Sequence, residues 1–132
     1  MTEKKAVNPW KWQDQFGFSQ AIDVRGAGRV VYCAGQTSVD ADGTPINAGD
    51  MAAQVNQALN NLETVLRRAG LTLANVVRLN YYTRNVAAFI QASSALAPRL
   101  QAAGCQPAST LLGVAELFHP DILVEIEATA IV

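Results

Sequence analysis

The last eleven residues, Ile122 to Val132, read I-L-V-E-I-E-A-T-A-I-V, and they constrain the fold more tightly than any other stretch. In a strand successive side chains point to opposite faces. Ile122, Val124, Ile126, Ala128, Ala130 and Val132 then line one face, and Leu123, Glu125, Glu127, Thr129 and Ile131 the other. The first face needs a core to cover it. The second carries two carboxylates roughly 6.5 to 7 Å apart, at a rise of about 3.3 Å per residue, close enough to influence each other's ionisation if that face is covered too. Two readings stay open, a solvated edge with two surface charges and a site built on the pair.

Upstream, period and punctuation set the remaining elements. Phe18 to Val24 and Arg29 to Gly35 are extended runs joined by R-G-A-G, which predicts a hairpin turned by Gly26 and Gly28. Asp40 to Asp50 is rich in turn formers, and Asp50 is placed to cap a helix. That helix carries Met51, Val55, Ala58, Leu59, Leu62, Val65, Leu66 and Ala69 on one face and stops at Gly70. Val76 to Thr83 reads as a strand, with Val77, Leu79 and Tyr81 on one side and Arg78, Asn80 and Tyr82 on the other. A second helix is expected from Val86 to Ala103, its inner side formed by Phe89, Ile90, Ser93, Leu96, Ala97 and Leu100, with Pro98 kinking it or marking a change of helix. Gly104 ends it, Ala108 to Val114 is extended, and the loop at Phe118, His119 and Pro120 leads into the final strand. The order is ββαβαββ, an α+β fold.

Length and composition suit one domain, residues 1–132, with residues 1–15 as an N-terminal arm: 132 residues, half of them hydrophobic, can bury a real core. A net charge of −1 with scattered basic residues, Arg67 and Arg68 being the only basic pair after Lys4 and Lys5, lacks the footprint of a nucleic-acid binder. No stretch approaches the roughly 18 apolar residues of a membrane span, and M-T-E-K-K is followed by no apolar leader core. A cytoplasmic protein without membrane partners is expected. Cys33 and Cys105 fit no metal spacing and are expected as reduced thiols. The lone His119 has no second histidine or suitably spaced carboxylate, so neither metal nor other cofactor is expected. Cys105 lacks an adjacent base and reads as a buried or incidental thiol. Trp10 and Trp12 read as anchors of the N-terminal arm.

With two helices on one sheet face, the other face, bearing Leu123 and Ile131 beside the glutamates, is too apolar for solvent across its whole width. A single chain has no further helices to cover it. Self-association through that face, with any pocket lying between chains, is the economical solution.

Six segments fall in the order of one family: F-G-F-S-Q-A at Phe16 to Ala21, A-G-Q at Ala34 to Gln36, the helix start G-D-M-A-A-Q-V-N-Q-A-L-N-N-L, the link A-G-L-T-L-A-N-V-V-R, Q-P-A-S at Gln106 to Ser109, and V-E-I-E-A-T-A. Over nearly its whole length the chain resembles the YjgF/RidA family, the reactive intermediate deaminases. The resemblance implies a chorismate-mutase-like fold of the bacillus type, a homotrimer, and small-molecule pockets at the subunit interfaces. It also implies hydrolysis of 2-imino acids, or their enamine tautomers, to 2-keto acids and ammonia.

The family's substrate-gripping arginine, which follows Pro-Ala, is Ser109 here. The tyrosine of its G-P-Y-S-Q-A segment is Phe18, and its cysteine two residues beyond the arginine is Leu111. Glu125 stands where the family's glutamate positions the hydrolytic water, and Ser19, Gly35 and Gln36 are retained. Loss of a bidentate guanidinium removes a charge-assisted contact of roughly 1.5 to 3 kcal/mol. Small 2-imino acids are therefore expected to be poor substrates, and Ser109, Phe18 and Leu111 to form a roomier, more apolar pocket. Arg78, on the side of Asn80 and Tyr82, could supply a replacement cation or simply pair with Glu125 or Glu127. Glu125 reads either as general base or as a structural carboxylate bonded to a neighbouring chain. The expected function is a deaminase of some other imine or enamine; a non-catalytic metabolite-binding trimer is the alternative, and a ribonuclease or translation inhibitor a further one.

Overall fold

Burial in the C-terminal strand follows its period-two pattern as far as Ala130; beyond it the expectation is reversed, Ile131 being buried and Val132 46% exposed, because the chain leaves the strand there. In the computed structural model, which describes residues 1–132, Ile122, Val124, Ile126 and Ala130 are fully buried and Ala128 nearly so. The elements are β1 (Glu3–Val7), β2 (Ala21–Arg25), β3 (Val30–Gln36), α1 (Met51–Arg68), β4 (Val76–Thr83), α2 (Val86–Ala102), β5 (Ala108–Gly113) and β6 (Val124–Ile131), with short 3₁₀ turns at Trp12–Phe16 and Leu73–Asn75. Strands β3, β6, β4 and β5 form one sheet in that order, β4 and β5 being parallel and the other neighbours antiparallel. Leu79, Tyr81, Ile126 and Ala128 share a core with Val55, Leu59, Leu62 and Leu66 of α1 and Phe89, Leu96 and Leu100 of α2. Two helices on one face of a mixed sheet make the expected α+β, chorismate-mutase-like fold, with one more strand in front of the predicted order.

The N-terminal region departs from the sequence expectation. Residues read as an arm form β1, which pairs along its length with β2 from Glu3↔Arg25 to Val7↔Ala21, so β2 and β3 are not a hairpin. The reason is burial: β3 has a core-facing side at Cys33 and joins β6, whereas β1 is exposed at every position and β2 only half-buried. The R-G-A-G turn carries the chain from one sheet to the other, and Arg29 exchanges backbone hydrogen bonds with Val132 at 3.0 Å.

Helix α1 starts and stops as its sequence dictates. The Asp50 carboxylate accepts from the Ala53 amide at 3.0 Å, and Gly70, at φ +78°, lets Leu71 N–H reach back to Leu66 O at 2.8 Å. Helix α2 runs unbroken through Pro98, so no change of helix occurs there. Its buried stripe is Phe89, Ala92, Leu96 and Leu100; Ile90, expected inside, is 58% exposed.

One fully buried polar side chain ties α1 to the start of β6. Gln54 donates to Asp121 O at 2.7 Å and Asn47 O at 3.2 Å, while its Oε1 accepts from Leu123 N at 2.8 Å. Losing the amide would break all three of these hydrogen bonds at once. Gln54→Leu, close in volume, should lower stability by about 2 to 3 kcal/mol. Urea unfolding measures it, and an unchanged midpoint would contradict the assignment.

Candidate active site

The sheet face away from the helices holds the carboxylates. Antiparallel register places Asn80 opposite Glu127 and Tyr82 opposite Glu125. The Asn80 amide donates to Glu127 Oε1 at 2.9 Å, and the Tyr82 hydroxyl, reaching diagonally past its direct partner, donates to the same oxygen at 2.9 Å. These two hydrogen bonds hold the Glu127 carboxyl below the usual range, with a smaller contribution from the charge of Arg78. Tyr82 is in turn pushed up, first by that hydrogen bond.

Glu125 has the opposite environment. Its carboxylate makes no hydrogen bond in the subunit, and partial burial, followed by the charge of Glu127, raises its pKa above the usual carboxylate range. It lies against the backbone of β3 where that strand bulges: the register passes from Cys33↔Ala128 to Gln36↔Ile126, leaving Ala34 and Gly35 opposite one residue of β6. A Cβ on Gly35 would stand 2.5 Å from Glu125 Cδ and 2.6 Å from Cγ. A side chain at this position would push the carboxylate out of its place against the strand. One carboxylate is thus kept ionised and its neighbour is biased toward holding a proton, the separation of roles an acid–base site requires.

The helix side holds the second group of expected residues. Register pairs Leu79 with Ser109 and Tyr81 with Leu111, so both β5 side chains face α2. Together with Phe18, Tyr81, Phe89 and Leu96 they line a cavity of about 480 Å³ between α2, the β4–β5 edge and the Trp12–Phe16 turn. Ser19 fixes the turn to β5: it is buried, its hydroxyl donates to Gln106 O at 2.6 Å, and its amide donates to Pro107 O at 2.9 Å. Gln106 completes the clasp by donating to Asp14 Oδ1 at 3.0 Å and Phe18 O at 3.1 Å.

Within one chain, therefore, Glu125 and Gly35 stand on one sheet face with Asn80 and Arg78, and Ser109 and Leu111 stand on the other beside Phe18; Gln36, expected with Glu125, pairs after the bulge with core-facing Ile126. Gln36 donates to Ala34 O at 3.1 Å beside the bulge. Arg78 forms no ion pair with either glutamate; its guanidinium donates to Thr110 Oγ1 at 2.8 Å on the carboxylate face. Tyr82 and Thr110 are the members of this face not singled out from the sequence, although the alternation of β4 places Tyr82 there. Trp10 and Trp12 are more than half exposed, so they are not buried anchors; Trp12 packs edge-on against Phe18 at a centroid distance of 5.9 Å. Cys33 and Cys105 are buried free thiols, and burial pushes Cys105 up to about 11. His119 Nδ1 accepts from Asp121 N at 3.0 Å, and no group of three or more His, Cys, Asp or Glu side chains is gathered around a metal-sized space. No helix is long and apolar enough to cross a membrane.

The two glutamates affect stability with opposite signs. Because the folded pKa of Glu127 is lowered, its contribution is present above the ordinary glutamate range and is lost as pH falls through the lowered value. Because that of Glu125 is raised, its contribution is present below the ordinary range and is lost as pH rises through the raised value. Tyr82→Phe should move the Glu127 titration upward, and Glu125→Gln should leave stability at neutral pH unchanged or raised. Carboxyl ¹³C NMR titration and thermal melts measure these. An unmoved Glu127 in Tyr82→Phe, or a marked loss of stability in Glu125→Gln, would contradict the electrostatics.

Comparison with known proteins agrees with this architecture. A model of the family described as endoribonuclease L-PSP matches residues 13–132. A RutC family protein of Pyrococcus horikoshii is 32% identical over 113 residues, 86% of this chain and 85% of that protein. A Dermatophagoides farinae protein named 2-iminobutanoate/2-iminopropanoate deaminase is 29% identical over 115 residues, 87% of this chain and 85% of its own. The crystal structure of the Rid family protein YyfB of Yersinia pestis, itself of unknown function, matches with a TM-score of 0.87 and 36% identity over 98% of both chains. The chain belongs to the endoribonuclease L-PSP family, the YjgF/RidA family of proteins.

Proposed function

We propose that the protein is an imine or enamine deaminase that works as a homotrimer, with each site formed between subunits: Glu125 from one chain and the wall of Phe18, Ser109 and Leu111 from its neighbour. The observation that carries this reading is the state of Glu125, a half-buried carboxylate with raised pKa, no hydrogen bond of its own, and a glycine bulge that makes room for it. Family membership and the deaminase among the relatives support the reaction class. The uncovered sheet face, where Tyr32 is 80% exposed and Leu112 49%, supports association.

In this mechanism ionised Glu125 takes a proton from water as the water oxygen bonds to the carbon of C=N. The nitrogen gains a proton, giving a carbinolamine. Transfer of the carbinolamine hydroxyl proton to nitrogen, relayed by Glu125, breaks the C–N bond as the C=O bond forms, so that imine plus water becomes a carbonyl compound plus ammonia. An enamine is first protonated on carbon, giving the iminium, the protonated form of the same imine. Ser109 offers no charge to a substrate carboxylate, so small 2-imino acids are poor substrates.

A metabolite-binding trimer without turnover is the second reading, favoured by one observation: the cavity beside Ser109 is fully formed without Glu125. Ammonia release from freshly generated imines and enamines separates the two. A deaminase should accelerate release over the spontaneous rate, and Glu125→Gln should lose about 100-fold or more of that acceleration, within the usual range for general acid–base catalysis. The rate should fall on acidification through a pKa above the ordinary glutamate range, since only ionised Glu125 accepts the proton. Acceleration that survives in Glu125→Gln would contradict the mechanism, and stabilisation by ligand with no turnover would favour the binding protein.

A further inference from the structure

The cavity under α2 has a chemistry of its own. None of its fourteen lining residues is Asp, Glu, Lys, Arg or His, and nine are hydrophobic. Tyr81, its one other ionisable side chain, is buried, and that burial pushes its phenol well above the usual range, so it stays neutral. Ser93 and Ser94 already donate their hydroxyl protons to the carbonyls of Ile90 and Gln91, at 2.6 and 3.1 Å. Nothing in the wall calls for an anion.

Size and shape narrow the occupant further. A volume of about 480 Å³ falls within the range of roughly 300 to 1,000 Å³ usual for small-molecule sites. Roughly 150 Å³ of apolar space is enough for a benzene ring. Aromatic side chains approach the space from separate elements, Phe16 and Phe18 from the N-terminal turn, Tyr81 from β4 and Phe89 from α2. Trp12 packs edge-on against both turn phenylalanines, at centroid distances of 6.5 and 5.9 Å, which supports the outer rim. A carboxylate entering this space would shed water and gain no cation in return.

We infer that this cavity is the specificity pocket and that the substrates are neutral imines or enamines carrying an apolar group of aromatic size. Ser109 is its selecting residue, because a serine leaves open the space that a longer cationic side chain would fill and charge. The inference rests on the deaminase reading for the word substrate, but the pocket's preference for neutral aromatic ligands is measurable without turnover.

The test uses two carbonyl compounds with the same benzyl group, neutral phenylacetone and anionic phenylpyruvate, titrated into the full-length protein and followed by methyl NMR of Leu96, Leu100 and Leu111. Phenylacetone should shift these signals and bind about tenfold or more tighter than phenylpyruvate, since only the latter buries an unpaired charge. Ser109→Arg should reverse the order. Equal or tighter binding of phenylpyruvate to the wild type would overturn the neutral class. Absence of any shift at the three leucines, as when a side chain of a second copy fills the space, would overturn the pocket itself. Glu125-dependent ammonia release from small 2-imino acids without phenylacetone binding would sink this inference and spare the deaminase; phenylacetone binding without turnover of its imine would do the reverse.

Discussion

Strand β6 has to serve two environments at once, and the arrangement of the protein depends on how its alternation divides them. Ile126 and Ala128 face the helices in a buried core, while Glu125 and Glu127 face away. A one-residue slip in register would put both carboxylates into that core and Val124, Ile126, Ala128 and Ala130 outside, so the core itself fixes where the carboxylates point. Gln54 reinforces the register from the other side by bonding the Leu123 amide just before the strand begins. A rigid core thus aims the carboxylate face, and alternate residues of one strand serve the two.

Two carboxylates two residues apart then acquire different characters from local contacts alone. Asn80 and Tyr82 both spend their donors on Glu127, and Glu125 receives only the bulge of β3 and the field of its neighbour. Gly35 matters to this asymmetry as much as any polar group: a side chain there would displace Glu125 from its position against the strand. In an assembled protein the asymmetry leaves one anion fixed in place and one carboxylate free to exchange protons, which is the disposition that hydrolysis of a C=N bond uses.

Much of this was legible in the sequence. The alternation of β6, the Asp50-capped stripe of α1 and the two sides of β4 each follow from a single period, and the structure has them except at Val65, which is exposed on α1, and at Ile131 and Val132, where the alternation of β6 reverses. Strand β1 was not legible because E-K-K-A-V is exposed at every position and so carries no alternation, and with it went the pairing of β2. On α2, Ala92 takes the inner position expected for Ile90; alanine allows close packing on the sheet, a choice that hydrophobicity alone does not signal. Placement of Ser109 and Leu111 on the helix side depends on register between β4 and β5, which only the folded sheet supplies. The diagonal reach of Tyr82 to Glu127 likewise needs the third dimension.

The central claim is that cavity and carboxylate, set on opposite faces of one sheet, work together only across a subunit boundary. Complementation measures this directly: Glu125→Gln protein is mixed with Ser109→Phe protein, whose added ring blocks the cavity beside Leu111, and subunits are exchanged before ammonia release is assayed. Each parent should be inactive, and random trimers should recover about a quarter of wild-type activity, since a site needs an intact cavity from one chain and an intact Glu125 from the next. A mixture as inactive as its parents, with exchange confirmed by mass spectrometry, would contradict the account and return both functions to a single chain.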